Sequence, residues 1–263
     1  MKRSSVYILS LLMLSLTPAS CKMGTDEPAQ EAETDSLDVD SLGLEQLDLF
    51  EEETIPEAAD ELFADFLYLY TTNDEFRRQR TVRGLHPFSM NAERAMVVIY
   101  EREDDLLLQK DTTARNVIME QIVWDADSIY RFNFSKVNGL WTLSSVEGVD
   151  MSNTPNASFL VFLRDFIADS LYRQESIRQP LIMSFYSEED EAEVEQEMPL
   201  SDWNELYAEL PDMSETIFNI DYGQSLISQI RKSMQLQELS NGLFLKLHFD
   251  FSDDRWQLFK IES

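Results

Sequence analysis

One cysteine, two histidines and seven glycines are all that 263 residues contain of these types. A lone thiol cannot form an internal disulfide, so packing must supply the stability. His86 and His248 are far apart in sequence and no His-Glu-x-x-His is present, which removes the usual zinc-hydrolase arrangement. Gly84, Gly139, Gly148 and Gly223 stand singly, so no glycine-rich loop can cradle a phosphate. The segment Gly223-Gln-Ser225-Leu-Ile227 begins like a nucleophile elbow but lacks the closing glycine. Positive charge is equally scarce. The 21 Lys and Arg face 50 Asp and Glu, for a net charge of -29. Such a field repels a phosphate backbone and excludes nucleic acid as a partner. The chain is well supplied with apolar residues, at 43% hydrophobic with sixteen Phe, nine Tyr and four Trp, enough to bury a core.

Lys2 and Arg3 precede an apolar run from Val6 to Leu16, followed by Ala19, Ser20 and then Cys21. The run is too short to span a bilayer permanently and reads as a signal peptide over residues 1–20. A signal ending at the chain's single cysteine resembles a bacterial lipoprotein signal. That resemblance implies a lipid anchor on Cys21, a membrane as partner through that lipid, and an outer-membrane lipoprotein facing the periplasm or the cell surface. Between positions 24 and 60 there are fourteen acidic residues and no basic one, so residues 21–57 read as a flexible acidic tether. Asp38, Asp40 and Gly43 start a calcium-loop pattern, but Leu42 and Leu49 occupy positions that need oxygen ligands.

An internal repeat organises the remainder. Phe63, Phe66, Tyr70, Phe76, Arg77 and Leu85 recur at a constant spacing as Phe159, Phe162, Phe166, Tyr172, Arg173 and Leu181. A second echo sets Trp141, Leu143, Val146 and Glu147 against Trp256, Leu258, Ile261 and Glu262. Two copies of one unit are expected, over 58–150 and 157–263. Each opens with apolar residues at helical spacing, Leu62 to Tyr70 and Phe159 to Ile167, and continues into a second short helix. Gly84, Pro87 and Pro180 break the pattern. β-Branched and aromatic runs then predict strands at 96–100, 117–124, 129–134 and 141–146, and again at 217–222, 234–239, 243–251 and 256–261. Asn138-Gly139, Asn241-Gly242 and Ser252-Asp-Asp254 supply the turns. The acidic run Glu188 to Glu197 reads as a solvated loop, and Trp203 as the anchor of a helix ended by Pro211. Helices first and antiparallel strands afterwards define an α+β class.

Helices followed by a curved antiparallel meander with a Trp-x-Leu-x-x-Val/Ile-Glu ending resemble the nuclear transport factor two-like, cystatin-like fold. With the lipoprotein leader and acidic tether, the chain is similar to uncharacterised exported lipoproteins of Gram-negative gut anaerobes, grouped as a domain of unknown function. The resemblance implies two tandem copies of a cone-shaped sheet around helices, often with a pocket, in a fold that serves isomerases, dehydratases and non-catalytic binding domains alike. Tyr70, Arg77 and Tyr130 in the first unit and Tyr172, Arg173 and Tyr222 in the second are the candidates to line such pockets. Asp74 and Asp169 are the nearby carboxylates. Arg77 and Arg173 are expected to pair with acidic neighbours. No catalytic residue, metal ligand or cofactor is singled out. The expected function is a non-catalytic module for an unknown small molecule or protein partner; the alternative is an isomerase- or dehydratase-like enzyme using a buried carboxylate.

Overall fold

A computed structural model describes residues 61–86, 95–237 and 244–263. Cys21, the signal over 1–20, the tether over 21–57, Pro87 and the Asn241-Gly242 turn lie outside the described residues. The helices are α1 (Phe63–Thr72), α2 (Asp74–Gln79), α3 (Ala157–Ala168), α4 (Ser170–Glu175) and α5 (Leu200–Ala208). The strands are β1 (Met96–Tyr100), β2 (Asn116–Val123), β3 (Ser128–Val137), β4 (Leu140–Asp150), β5 (Ile177–Ser187), β6 (Ala192–Met198), β7 (Thr216–Asp221), β8 (Arg231–Gln237), β9 (Phe244–Ser252) and β10 (Arg255–Glu262). The class is α+β. All ten strands join one sheet in the order β4-β3-β2-β7-β1-β8-β9-β10-β5-β6. Sequence reasoning expects antiparallel strands only, yet β1 pairs with β7, and β10 with β5, in parallel.

The centre of the sheet is where the two halves of the chain meet. β1 lies in the first half but pairs antiparallel with β8 of the second, Val98 opposite Gln235. β7 lies in the second half and pairs antiparallel with β2 of the first, Glu120 opposite Asn219. β1 and β7 then close the sheet side by side. Side chains alternate across a strand. Accordingly Ala95, Val97 and Ile99 enter the core built on α3 and α5, while Met96 and Val98 enter the core built on α1. The two cores therefore occupy opposite faces at the junction. Burial on both sides is the reason all five residues of β1 are apolar.

Corresponding ring contacts build the two cores. Phe63 meets Trp141 edge-on at 5.2 Å and Phe134 at 5.4 Å. Phe159 meets Trp256 at 5.2 Å and Phe249 at 5.3 Å. Such edge-to-face pairs add to the area that aromatic side chains bury. The short second helices start alike: the Asn73 side chain accepts from the Glu75 and Phe76 amides, and Asp169 from those of Leu171 and Tyr172. Thr81 bridges Leu143 in parallel, and Ile177 pairs with Leu258 in the same sense. Asn138 and Gly139, with φ of 51° and 78°, form the tight β3–β4 turn, and Asp253 and Asp254 that of β9–β10.

The acidic run is not wholly a loop. Glu193, Glu195 and Glu197 lie in β6, the edge strand hairpinned onto β5. A charged edge discourages pairing with other chains, so acidic residues suit this strand. Trp203 is fully buried in the second core, where its ring contacts Tyr207 and Phe166.

Candidate functional site: a polar cavity beside the central strands

Three polar residues stand among the apolar ones where β3, β2, β7 and β1 run side by side. Asn219 in β7 is 0% exposed. Its Oδ1 accepts the Ile99 amide of β1 at 2.9 Å, and its Nδ2 donates to Glu120 Oε2 of β2 at 2.9 Å. Glu120 Oε1 accepts from Arg131 Nε of β3 at 3.0 Å, across the register pair Glu120 and Arg131. A buried carboxylate needs such partners, because losing water costs several kcal/mol otherwise.

Two residues beyond Asn219, Asp221 ends β7 and accepts the Gly223 amide at 2.8 Å. Gly223 has φ of +96°, a conformation that favours glycine. Gln224 next to it accepts the Tyr222 amide at 2.7 Å and donates to the Ile99 and Ile220 carbonyls at 2.9 and 3.1 Å. The would-be nucleophile elbow is thus a turn tied to β1 and β7. Burial raises the Asp221 carboxyl above its ordinary value; the Gly223 amide opposes this, Glu120 reinforces it and Arg131 opposes it.

The opposite wall comes from the start of α3. Thr154, Pro155, Asn156 and Leu160 face Glu120, Arg131, Asp221 and Gln224 across a cavity of about 220 Å³, with Leu226 and Ile227 as apolar lining. Asn156 is the N-cap of α3, but its side chain does not bond the helix amides. It is 5% exposed and its Oδ1 has no hydrogen-bond partner. A buried acceptor without a donor costs about 1–3 kcal/mol, so Asn156, which lines the cavity, keeps an unmet demand for a donor. A larger groove lined by Asp127, Asp150 and Val161 makes no such demand, since Arg164 holds Asp127 and Ser152 holds Asp150.

None of the six tyrosines and arginines expected to line pockets borders this cavity. Tyr70 is buried in the first core with its hydroxyl 2.7 Å from Thr81 Oγ1. Tyr222 lies in the same core, edge-on to Phe63 at 5.9 Å, although its sequence position is in the second half; β7 carries it there. Tyr130 is exposed, and Tyr172 packs partly exposed on Phe162 at 6.2 Å. Arg77 pairs with Asp74 and donates to the Tyr70 and Thr71 carbonyls. Arg173 donates to the Phe166 and Ile167 carbonyls at 3.0 Å and stacks 3.8 Å over the Tyr207 ring. Both arginines therefore cap the carbonyl end of the preceding helix, a favourable place for a cation. Of the six, only Tyr70 and Arg77 are brought together, through the Tyr70 carbonyl.

The signal that sequence reasoning passed over is a polar interruption of an apolar strand. Glu120 and Gln121 interrupt Val117-Ile-Met-Glu-Gln-Ile-Val123, and Asn219 interrupts Ile217-Phe-Asn-Ile220. Asn156 and Gln224 carry no such mark, since both lie in connecting segments.

Helices packed on one large curved sheet are an arrangement that this chain shares with a nuclear transport factor two-like (NTF2-like) protein of known structure. A crystallographically determined NTF2-like protein of Bacteroides fragilis NCTC 9343 is similar to this chain, with 25% identity, a TM-score of 0.67, and coverage of 78% of this chain and 96% of that one. The chain belongs to the family described as domain of unknown function DUF4348, whose model matches residues 43–263. No curated protein matches it.

Proposed function

We propose that the protein is an exported lipoprotein, anchored through Cys21, whose NTF2-like body is a non-catalytic module for a small molecule rich in hydrogen-bond donors. The observation that carries the binding reading is the unpartnered Asn156 Oδ1, buried at the edge of a cavity that also holds Asp221 and Glu120. These are acceptors. Of the donors nearby, Gln224 gives its amide to two carbonyls and Arg131 gives its Nε to Glu120. A ligand bringing hydroxyl or ammonium groups complements that arrangement, with Leu160, Leu226 and Ile227 against its apolar parts. The raised Asp221 carboxyl is the one observation that favours the alternative, an isomerase- or dehydratase-like base.

Calorimetry of the purified chain against a panel of monosaccharides and primary amines tests the reading. A binder is expected whose affinity falls about tenfold in Asn156→Ala, the loss of roughly 1.4 kcal/mol. A binder indifferent to Asn156→Ala would place its site elsewhere. Turnover of that ligand, abolished in Asp221→Asn, would favour the enzyme.

The anchor rests on the signal pattern ending at the only cysteine. Cys21→Ser is expected to move the protein from the membrane fraction to the soluble fraction, and its retention on membranes would refute the anchor. We further propose that the chain is a duplication of one unit in which β1 and β7 have been exchanged between the copies. Supporting this, β1 on β8 and β7 on β2 are equivalent pairings, flanked by equivalent meanders β2-β3-β4 and β8-β9-β10.

A further inference from the structure

The face of β8, β9 and β10 turned away from the second core carries a polar cluster that the ligand cavity does not involve. Leu245, Leu247 and Phe249 of β9 enter that core, so Lys246 and His248 project to the other side. His248 is 8% exposed, and its Nδ1 lies 2.8 Å from the hydroxyl of Ser233, its cross-strand partner in β8. Its Nε2 is buried without a hydrogen-bond partner, 3.4 Å from Glu262 Oε1 at the end of β10. Glu103, in the 3₁₀ segment Glu103–Lys110 that follows β1, brings a second carboxylate. One ligand atom from each of Glu103, His248 and Glu262 lies within 4.8 Å of the others.

We propose that Glu103, His248 and Glu262 form a binding site for a divalent transition-metal ion, zinc above all. One imidazole nitrogen and two carboxylate oxygens are a donor set that zinc accepts, with the fourth position left to water. A metal-binding histidine ordinarily has its other ring nitrogen fixed by an oxygen, the part that Ser233 plays here. The bare Nε2 facing carboxylate oxygens also lacks a positive partner of its own, which an ion would supply. Lys246 donates to Glu103 at 2.8 Å and to Glu262 at 3.2 Å, and Lys260 donates to Glu262 at 3.2 Å. These ammonium groups balance the carboxylates without metal, and Lys246 is the group that an incoming ion must displace.

Zinc titration of the purified full-length chain by calorimetry, with cobalt absorption as a probe of nitrogen and oxygen coordination, tests the site. One saturable site is expected. Glu103→Gln and His248→Ala should each weaken it about tenfold or more, and Ser233→Ala about 10- to 100-fold. Lys246→Met should tighten it by removing the competing ammonium. Glu103 is more than half exposed, so its variant keeps the test usable if the His248 variant fails to fold. No saturable zinc or cobalt site in the wild-type chain would overturn the proposal. So would zinc binding unchanged in Glu103→Gln, the signature of diffuse attraction to an acidic surface.

Discussion

Replacing Lys232 with methionine is expected to lower the free energy of unfolding by about 3–5 kcal/mol, the usual result of stranding one member of a buried ion pair. Lys232, in β8, is 1% exposed and pairs with Glu101, just past the end of β1. The same carboxylate oxygen accepts the Ser228 amide at 2.7 Å. With the ammonium gone, Glu101 keeps its charge, one amide and almost no water. Adding Glu101→Gln should recover most of the loss, because the neutral amide still accepts from Ser228 without a charge to solvate. Urea unfolding of wild type, single and double variants reads both effects. Additive losses, or a negligible cost for Lys232→Met, would show that the pair is not buried between the two halves of the chain.

Asn219→Ala should cost on the order of 3 kcal/mol, although it removes only one small side chain. The Ile99 amide and Glu120 Oε2 lose their partner together, and both are in the sheet interior. Asn219 draws those partners from separate strands, β1 and β2, which flank β7. An asparagine on a free strand face would change stability by no more than about 0.5 kcal/mol. The comparison therefore reports whether β7 sits between β2 and β1. Amide hydrogen exchange at Ile99 should accelerate in the variant, since its acceptor is gone. Glu120 retains Arg131, so the same variant tests whether the cavity wall holds its shape with one of its two ties removed.

The helices and most of the strands were legible because their periods are strong. Phe63, Phe66 and Tyr70 repeat at helical spacing, and Leu245, Leu247 and Phe249 alternate. Asn138-Gly139 marked its hairpin by the backbone conformation that glycine tolerates. β5 was hidden by Pro180, which reads as a breaker. It falls between Ile177 and Ile182, where the β10 register shifts, so its missing amide removes no bond from that ladder. β6 was hidden by its glutamates, which suit a solvated edge as well as a loop. The pairing of β1 with β8 and of β7 with β2 left no trace in the pattern. Five consecutive apolar residues, Met96 to Tyr100, announce burial on both faces but not which strand lies alongside. The cavity shared that fate, because those pairings assemble it: β1, β2, β7 and the start of α3 meet only where the two halves of the chain interleave. Arg77 and Arg173 recur in the two halves because each caps the carbonyl end of the helix before it.

Cross-strand proton contacts measured by nuclear magnetic resonance test the interleaved sheet most directly. Facing strands of an antiparallel pair bring backbone protons close enough to detect, and the partners identify the register. The account predicts contacts of Val98 with Gln235 and of Glu120 with Asn219. Contacts of β1 with β2 instead, with none from β1 to β8, would mean that each half closes its own sheet and would contradict both the exchange and the cavity built on it.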